Sequence, residues 1–101
     1  SVLEKYSNAI QDFDRAIELE LQSCSFFGRG FAYYSLNKYA EAIRDFNAAI
    51  NLDSNFLENY IYRGYAYIEL DKISEARKDF HRVLELDPTH QESLNILNEI
   101  S

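Results

Sequence analysis

The apolar positions of this chain fall into helical stripes that return at a fixed interval. Tyr39, Ala42, Ile43, Phe46, Ala49 and Ile50 step by three and four residues, which places them on one face of a helix. Tyr6, Ala9, Ile10, Phe13, Ala16 and Ile17 make the same stripe 33 residues earlier, so 3–21 reads as one helix. The stretch 26–46 predicts two amphipathic helices joined by a turn at Asn37-Lys38. Arg29, Gly30, Ala32, Tyr33, Leu36, Lys38, Glu41, Ala42, Asp45 and Phe46 then recur 34 residues on as Arg63, Gly64, Ala66, Tyr67, Leu70, Lys72, Glu75, Ala76, Asp79 and Phe80. A period of that size marks a helical array in which each unit buries its apolar face on its neighbours.

The period divides the chain. Residues 1–22 read as the second helix of a partial repeat, 23–56 and 57–90 as full repeats, and 91–101 as a helix that starts a further repeat or caps the array. Further helices are predicted near 24–36, 39–51, 57–70, 73–86 and 91–100, and the missing residue of the first interval is assigned to the linker near 21–23. The fold class is therefore all-α, an α-solenoid of about six helices in antiparallel pairs. Asn37 and Asp71 occupy helix-end turns, where a left-handed residue is commonly needed and Asn and Asp tolerate it well. Asn55 with Glu58, and Thr89 with Glu92, have the spacing of capping arrangements, and Pro88 falls between helices. The chain opens without Met and part-way through a repeat, as an excised fragment would.

Small residues in the repeat have a mechanical reading. Gly30 with Ala42, and Gly64 with Ala76, let paired helices approach closely while Phe46 and Phe80 fill the adjoining space. Arg29 and Asp45 share their offset with Arg63 and Asp79, which suggests an ion pair within each repeat. Asp12 is the third copy of that aspartate. Independent solvated charges are the alternative reading, and exposed pairs would stabilise by only about 0–1 kcal/mol.

Composition narrows the function. A formal charge of −7 repels phosphate backbones and anionic membrane surfaces, so nucleic-acid binding is not expected. Membrane insertion is not expected either, because no window approaches the uninterrupted apolar length of a membrane span. One proline and three glycines in 101 residues favour long helices over a turn-rich β fold. Cys24 is the only cysteine; it excludes an intramolecular disulfide, fits a reducing and hence cytoplasmic setting, and reads as a half-buried helix residue. His81 and His90 stand apart, with no metal-ligand spacing, catalytic constellation or phosphate-cradling loop, so neither enzyme activity nor a cofactor is implied. Asp12 and Asp14, like Glu18 and Glu20, read as a solvated helix face. Lys72, Arg77, Lys78, His81 and Arg82 form a basic band that is either a docking strip or a solvated face balanced by Glu75 and Asp79. Arg77 stands where the earlier copies have Ile10 and Ile43, so the array is expected to become more solvent-facing there.

The order Phe26, Gly30, Tyr33, Ala42, Phe46, Ala49, followed by Tyr60, Gly64, Tyr67, Ala76, Phe80 and Pro88, resembles the tetratricopeptide repeat. Val83 replaces the last alanine of the second set. The resemblance implies a concave groove, lined by the first helices of successive repeats, that holds peptides or proteins. Matching positions are Cys24, Phe27, Phe31, Tyr34 and Ser35, then Glu58, Ile61, Tyr65, Ile68 and Glu69, then Asn95 and Glu99. The Lys, Arg and Asn that clamp a carboxylate in chaperone-binding members are missing from this set, apart from Asn95. Phe27, Phe31, Tyr34, Ile61, Tyr65 and Ile68 become the candidate contact surface for a partner's apolar or amphipathic segment. Flanking repeats, a second copy of the chain stacked through its terminal helices, or ordinary core packing are the competing explanations for these residues.

Overall fold

Apolar stripes of this period bury themselves only when successive helices stack, and the computed structural model has that arrangement. It describes residues 2–19 and 23–100, with side chains of residues 15–19 outside the description. The side chains of Ala16, Ile17 and Glu18, together with Glu20 and the missing residue assigned to the linker near 21–23, therefore lie outside the description. Helices α1 (Val2–Leu19), α2 (Ser23–Ser35), α3 (Tyr39–Leu52), α4 (Leu57–Glu69), α5 (Ile73–Leu86) and α6 (Gln91–Ile100) follow one another, and no strand occurs among the described residues. Each helix packs on the next, and α2 also touches α4 directly, so the first helices of the two pairs share a layer.

Both helix pairs turn in the same way. Asn37 has φ 63° and Asp71 φ 59°, the left-handed conformation expected of these positions. Lys38 N–H donates to Tyr33 O at 2.8 Å and Asn37 N–H to Tyr34 O at 3.0 Å, which satisfies the last carbonyls of α2. Lys72 to Tyr67 and Asp71 to Ile68 repeat this pattern at 2.8 and 2.9 Å. Other helix starts differ from the capping expectation. The α4 cap position is Phe56, whose side chain carries no acceptor, and the Asn55 N–H donates to Asp53 Oδ1. At α6 the Thr89 hydroxyl turns back to Asp87, leaving His90 Nδ1 to accept the Ser93 N–H at 3.2 Å.

The core is built where helices approach most closely. Ala42, Phe46, Ala49, Ala66, Ala76, Phe80 and Val83 are fully buried. A Cβ added to Gly30 would lie 2.8 Å from the Phe46 ring and 3.2 Å from Ala42 O, and one added to Gly64 would lie 2.8 Å from the Phe80 ring. Glycine at both places is thus a condition of the α2–α3 and α4–α5 spacing. Gly28 makes a related contact with α1, where a Cβ would run into the Phe13 ring.

Ser25, Asn59 and Ser93 fill equivalent repeat positions, and all are buried. Neither amide atom of Asn59 has a protein partner. Helix α6 packs on α5 with Leu97 buried at the position held by Arg29 and Arg63 in the earlier units. Arg77 does not face open solvent as expected. It is half-buried and donates to Ile100 O at 3.0 Å, placing its charge at the favourable C-terminal end of α6.

Candidate functional site

Two faces of the first helices carry chemistry. On one, each arginine forks onto the aspartate of its own unit and reaches back to the preceding helix. Arg29 donates to Asp45 at 2.7 and 2.6 Å, and to Asp14 at 2.7 Å. Arg63 donates to Asp79 at 2.9 and 2.6 Å, and to Asn47 Oδ1 at 2.8 Å. The arginines therefore stitch α1, α2 and α3 together, then α3, α4 and α5. Asp14 is no simple solvated acid, as its sequence context had suggested, whereas Asp12 is exposed. Burial pushes the Asp79 carboxyl above the ordinary carboxylate value, and the Arg63 fork offsets part of that rise. For Arg63 the balance reverses: burial lowers its pKa, and the bonds to Asp79 more than restore it. Two short charge-assisted bonds to a nearly buried aspartate favour the ionised pair.

The other face is aromatic. Tyr62 on α4 sits against three rings of α2, with centroids 6.0 Å from Phe27, 5.1 Å from Phe31 and 5.7 Å from Tyr34. Tyr65 continues the series at 6.1 Å from Tyr62 and rests on the buried Phe80 at 5.5 Å. These rings meet edge to face or tilted, the arrangements their quadrupoles favour. Phe27, Phe31, Tyr34, Tyr62, Tyr65 and Ile68 are all half-buried, so each packs within the layer while keeping some surface. Carboxylates border the strip. The Tyr65 hydroxyl donates to Glu92, and burial, followed by the charges of Tyr39, Glu69 and Tyr62, raises the Tyr34 hydroxyl pKa. Surface concavities of about 430 and 110 Å³ lie beside the helix turns and the ion pairs, and neither is lined by a ring of this series.

Family models described as Tetratricopeptide repeat match residues 23–56 and 57–90. The chain belongs to the tetratricopeptide repeat family. The first TPR of Spaghetti (RPAP3), solved bound to the HSP90 peptide SRMEEVD, is 36% identical at a TM-score of 0.91, over 96% of this chain and 78% of that one. The first TPR domain of human RPAP3 is 36% identical at a TM-score of 0.89, over 96% of this chain and 77% of that one. Its second TPR domain, in complex with the HSP70 peptide SGPTIEEVD, is 34% identical at 0.89, over 96% and 82%. No curated protein matches the chain by sequence.

Within this tetratricopeptide array the candidate surface residues separate. Phe31, Tyr34, Tyr65 and Ile68 lie on or beside the shared α2–α4 layer. Phe27 does double duty: its ring also packs 5.9 Å from Phe46 and 5.1 Å from Phe56, so it contributes to the repeat core as well. Ile61 is 9% exposed and belongs to the core cluster with Tyr60, Phe80, Val83 and Leu97. It offers little to a partner. Tyr62, the centre of the ring series, was absent from the sequence-derived set. Its own helical stripe, Glu58, Tyr62, Tyr65 and Glu69, would have indicated it, but the more apolar stripe through Ile61 outcompeted that signal. Cys24 is exposed rather than half-buried. Among the described residues no helix is long and apolar enough to cross a membrane, and no group of His, Cys, Asp and Glu is placed to hold a metal.

Proposed function

We propose that this tetratricopeptide array is a non-enzymatic interaction module that holds a segment of another protein against the aromatic face of α2 and α4. The observation carrying this reading is the continuous ring series Phe27–Phe31–Tyr62–Tyr34, joined to Tyr65, which leaves part of each ring accessible across two repeats. Tyrosine suits such a face: it offers a wide apolar surface and one hydroxyl while ordering few torsions. Structural relatives solved with short peptides support the same use of the fold.

The mode of recognition departs from capture of a carboxylate by cations. Arg29 and Arg63 are the only cationic residues of α2, α4 and α6, and both fork onto aspartates. A terminal carboxylate laid on these helices finds Glu58, Glu69, Glu92 and Glu99 instead. Selection of displayed peptides on the chain, repeated with Phe31→Ala plus Tyr62→Ala, tests the proposal. Enriched peptides should lose binding to the double variant while its helical circular dichroism persists. Peptides that bind the folded variant unchanged would refute the aromatic face as the site.

Self-assembly is the second reading, favoured by the exposure of Val2 and Leu3 on α1, at 67% and 65%, and of Leu94 on α6, at 39%. Sedimentation over a concentration series decides it: growth in mass that Leu94→Lys abolishes supports stacking, and a constant monomer mass removes it.

A further inference from the structure

The inner stripe has a charge pattern that points to the chemistry of its occupant. Glu58, Tyr62, Tyr65 and Glu69 follow one another at four-, three- and four-residue steps on α4. Glu92, Ile96 and Glu99 hold the equivalent positions on α6, and Cys24, Gly28, Phe31 and Ser35 those on α2. Glu58, Glu69, Glu92 and Glu99 are exposed. Glu92 is tied to the hydroxyl of Tyr65, and Glu69 lies close enough to Tyr34 for its charge to act on that hydroxyl. Among the described residues, no cation of α2, α4 or α6 interrupts this surface: the arginines of α2 and α4 are held by aspartates on the other side of the helices.

We propose that the aromatic face selects a cationic amphipathic peptide segment, whose apolar side chains cover the rings while its Lys or Arg groups reach Glu58, Glu69 and Glu92. This rests on the interaction-module reading above and specifies its partner. Half-buried tyrosines and carboxylates are compatible with the same cation, since a guanidinium or ammonium can lie over a ring while its rim donates to an acid. An acidic segment would meet like charge along the whole stripe, and a neutral one would gain nothing from the carboxylates.

Three labelled peptides of identical Leu and Ile pattern, carrying Lys, Gln or Glu at the remaining positions, make the test by fluorescence anisotropy on the full chain. The Lys peptide should bind tightest, weaken as salt rises, and lose about tenfold in affinity with Glu58→Lys plus Glu69→Lys. A control with Glu75→Lys plus Glu85→Lys on α5, which changes the net charge equally, should retain wild-type affinity. The proposal is overturned if the Gln or Glu peptide binds as tightly as the Lys peptide. It is overturned also if both charge-reversed variants lose affinity equally, since attraction to the overall negative charge would then suffice. The Gln peptide separates this proposal from the broader reading: if it binds as well as the Lys peptide, yet loses binding with Phe31→Ala plus Tyr62→Ala, the aromatic face stands and cation selection falls.

Discussion

Replacing Gly30 by alanine sets a local gain against a tertiary cost. The residue lies inside α2, where alanine is favoured over glycine by about 1 kcal/mol. Its Cβ would stand 2.8 and 2.9 Å from two ring atoms of Phe46 and 3.2 Å from Ala42 O. Comfortable carbon contacts lie at roughly 3.5–4.0 Å, so the ring or the helix must give way by several tenths of an ångström or more. Phe46 is 0% exposed and has the Phe27 ring 5.9 Å away, which leaves it little room to retreat. Overpacking of this kind costs about 1–3 kcal/mol, enough to cancel or exceed the propensity gain. The expected result is a net loss of about 0–2 kcal/mol, and a larger loss for Gly30→Leu. Gly28→Ala provides the contrast. Its obstacle is the far end of the Phe13 ring on the half-buried side of α1, which can swing aside, so this variant should keep wild-type stability or better. Urea unfolding followed by helical circular dichroism measures both. If Gly30→Ala is more stable than wild type by the full propensity gain, close packing does not explain the glycine.

The arginine stitches give an ordered series. Asp79→Ala should destabilise the array by about 1–3 kcal/mol, because it strands a half-buried guanidinium, whereas Asp14→Ala should cost at most about 1 kcal/mol at its more exposed contact. Equal midpoint shifts in urea would contradict that order. Asn59→Ser brings the middle unit into line with Ser25 and Ser93 and removes a buried amide without a protein partner. A gain of about 1 kcal/mol is expected, read as a thermal midpoint raised by about 4–8 °C; a lower midpoint would show that the amide contributes to packing.

Much of the architecture was legible because the period is redundant. Ten or more positions recur together, so the bounds of α2 and α3 reappear 34 residues later in α4 and α5, to the residue. Asn37 and Asp71 marked their turns because few other residues accept positive φ. The caps were less legible: Thr89 fits the pattern of a cap, yet Asp87 captures it, and His90 serves instead. Local hydrogen bonds of similar strength competed there, and spacing alone does not rank them. The candidate site divided for a different reason. Ile61 and Tyr62 are neighbours, so hydrophobicity along one helix cannot decide which meets the core and which faces α2. The packing of α4 against α5 and α6 buries Ile61, and the α2–α4 contact turns Tyr62 toward the three rings of α2.

Amide and methyl chemical-shift mapping on titration with the Lys peptide locates the bound segment residue by residue. Perturbations should be confined to the inner face, at Phe31, Tyr34, Glu58, Tyr62, Tyr65, Ile68 and Glu69, with α3 and the outer side of α5 unchanged. Shifts concentrated instead around Arg44, Glu75 and Lys78, with the tyrosine signals unmoved, would contradict that placement.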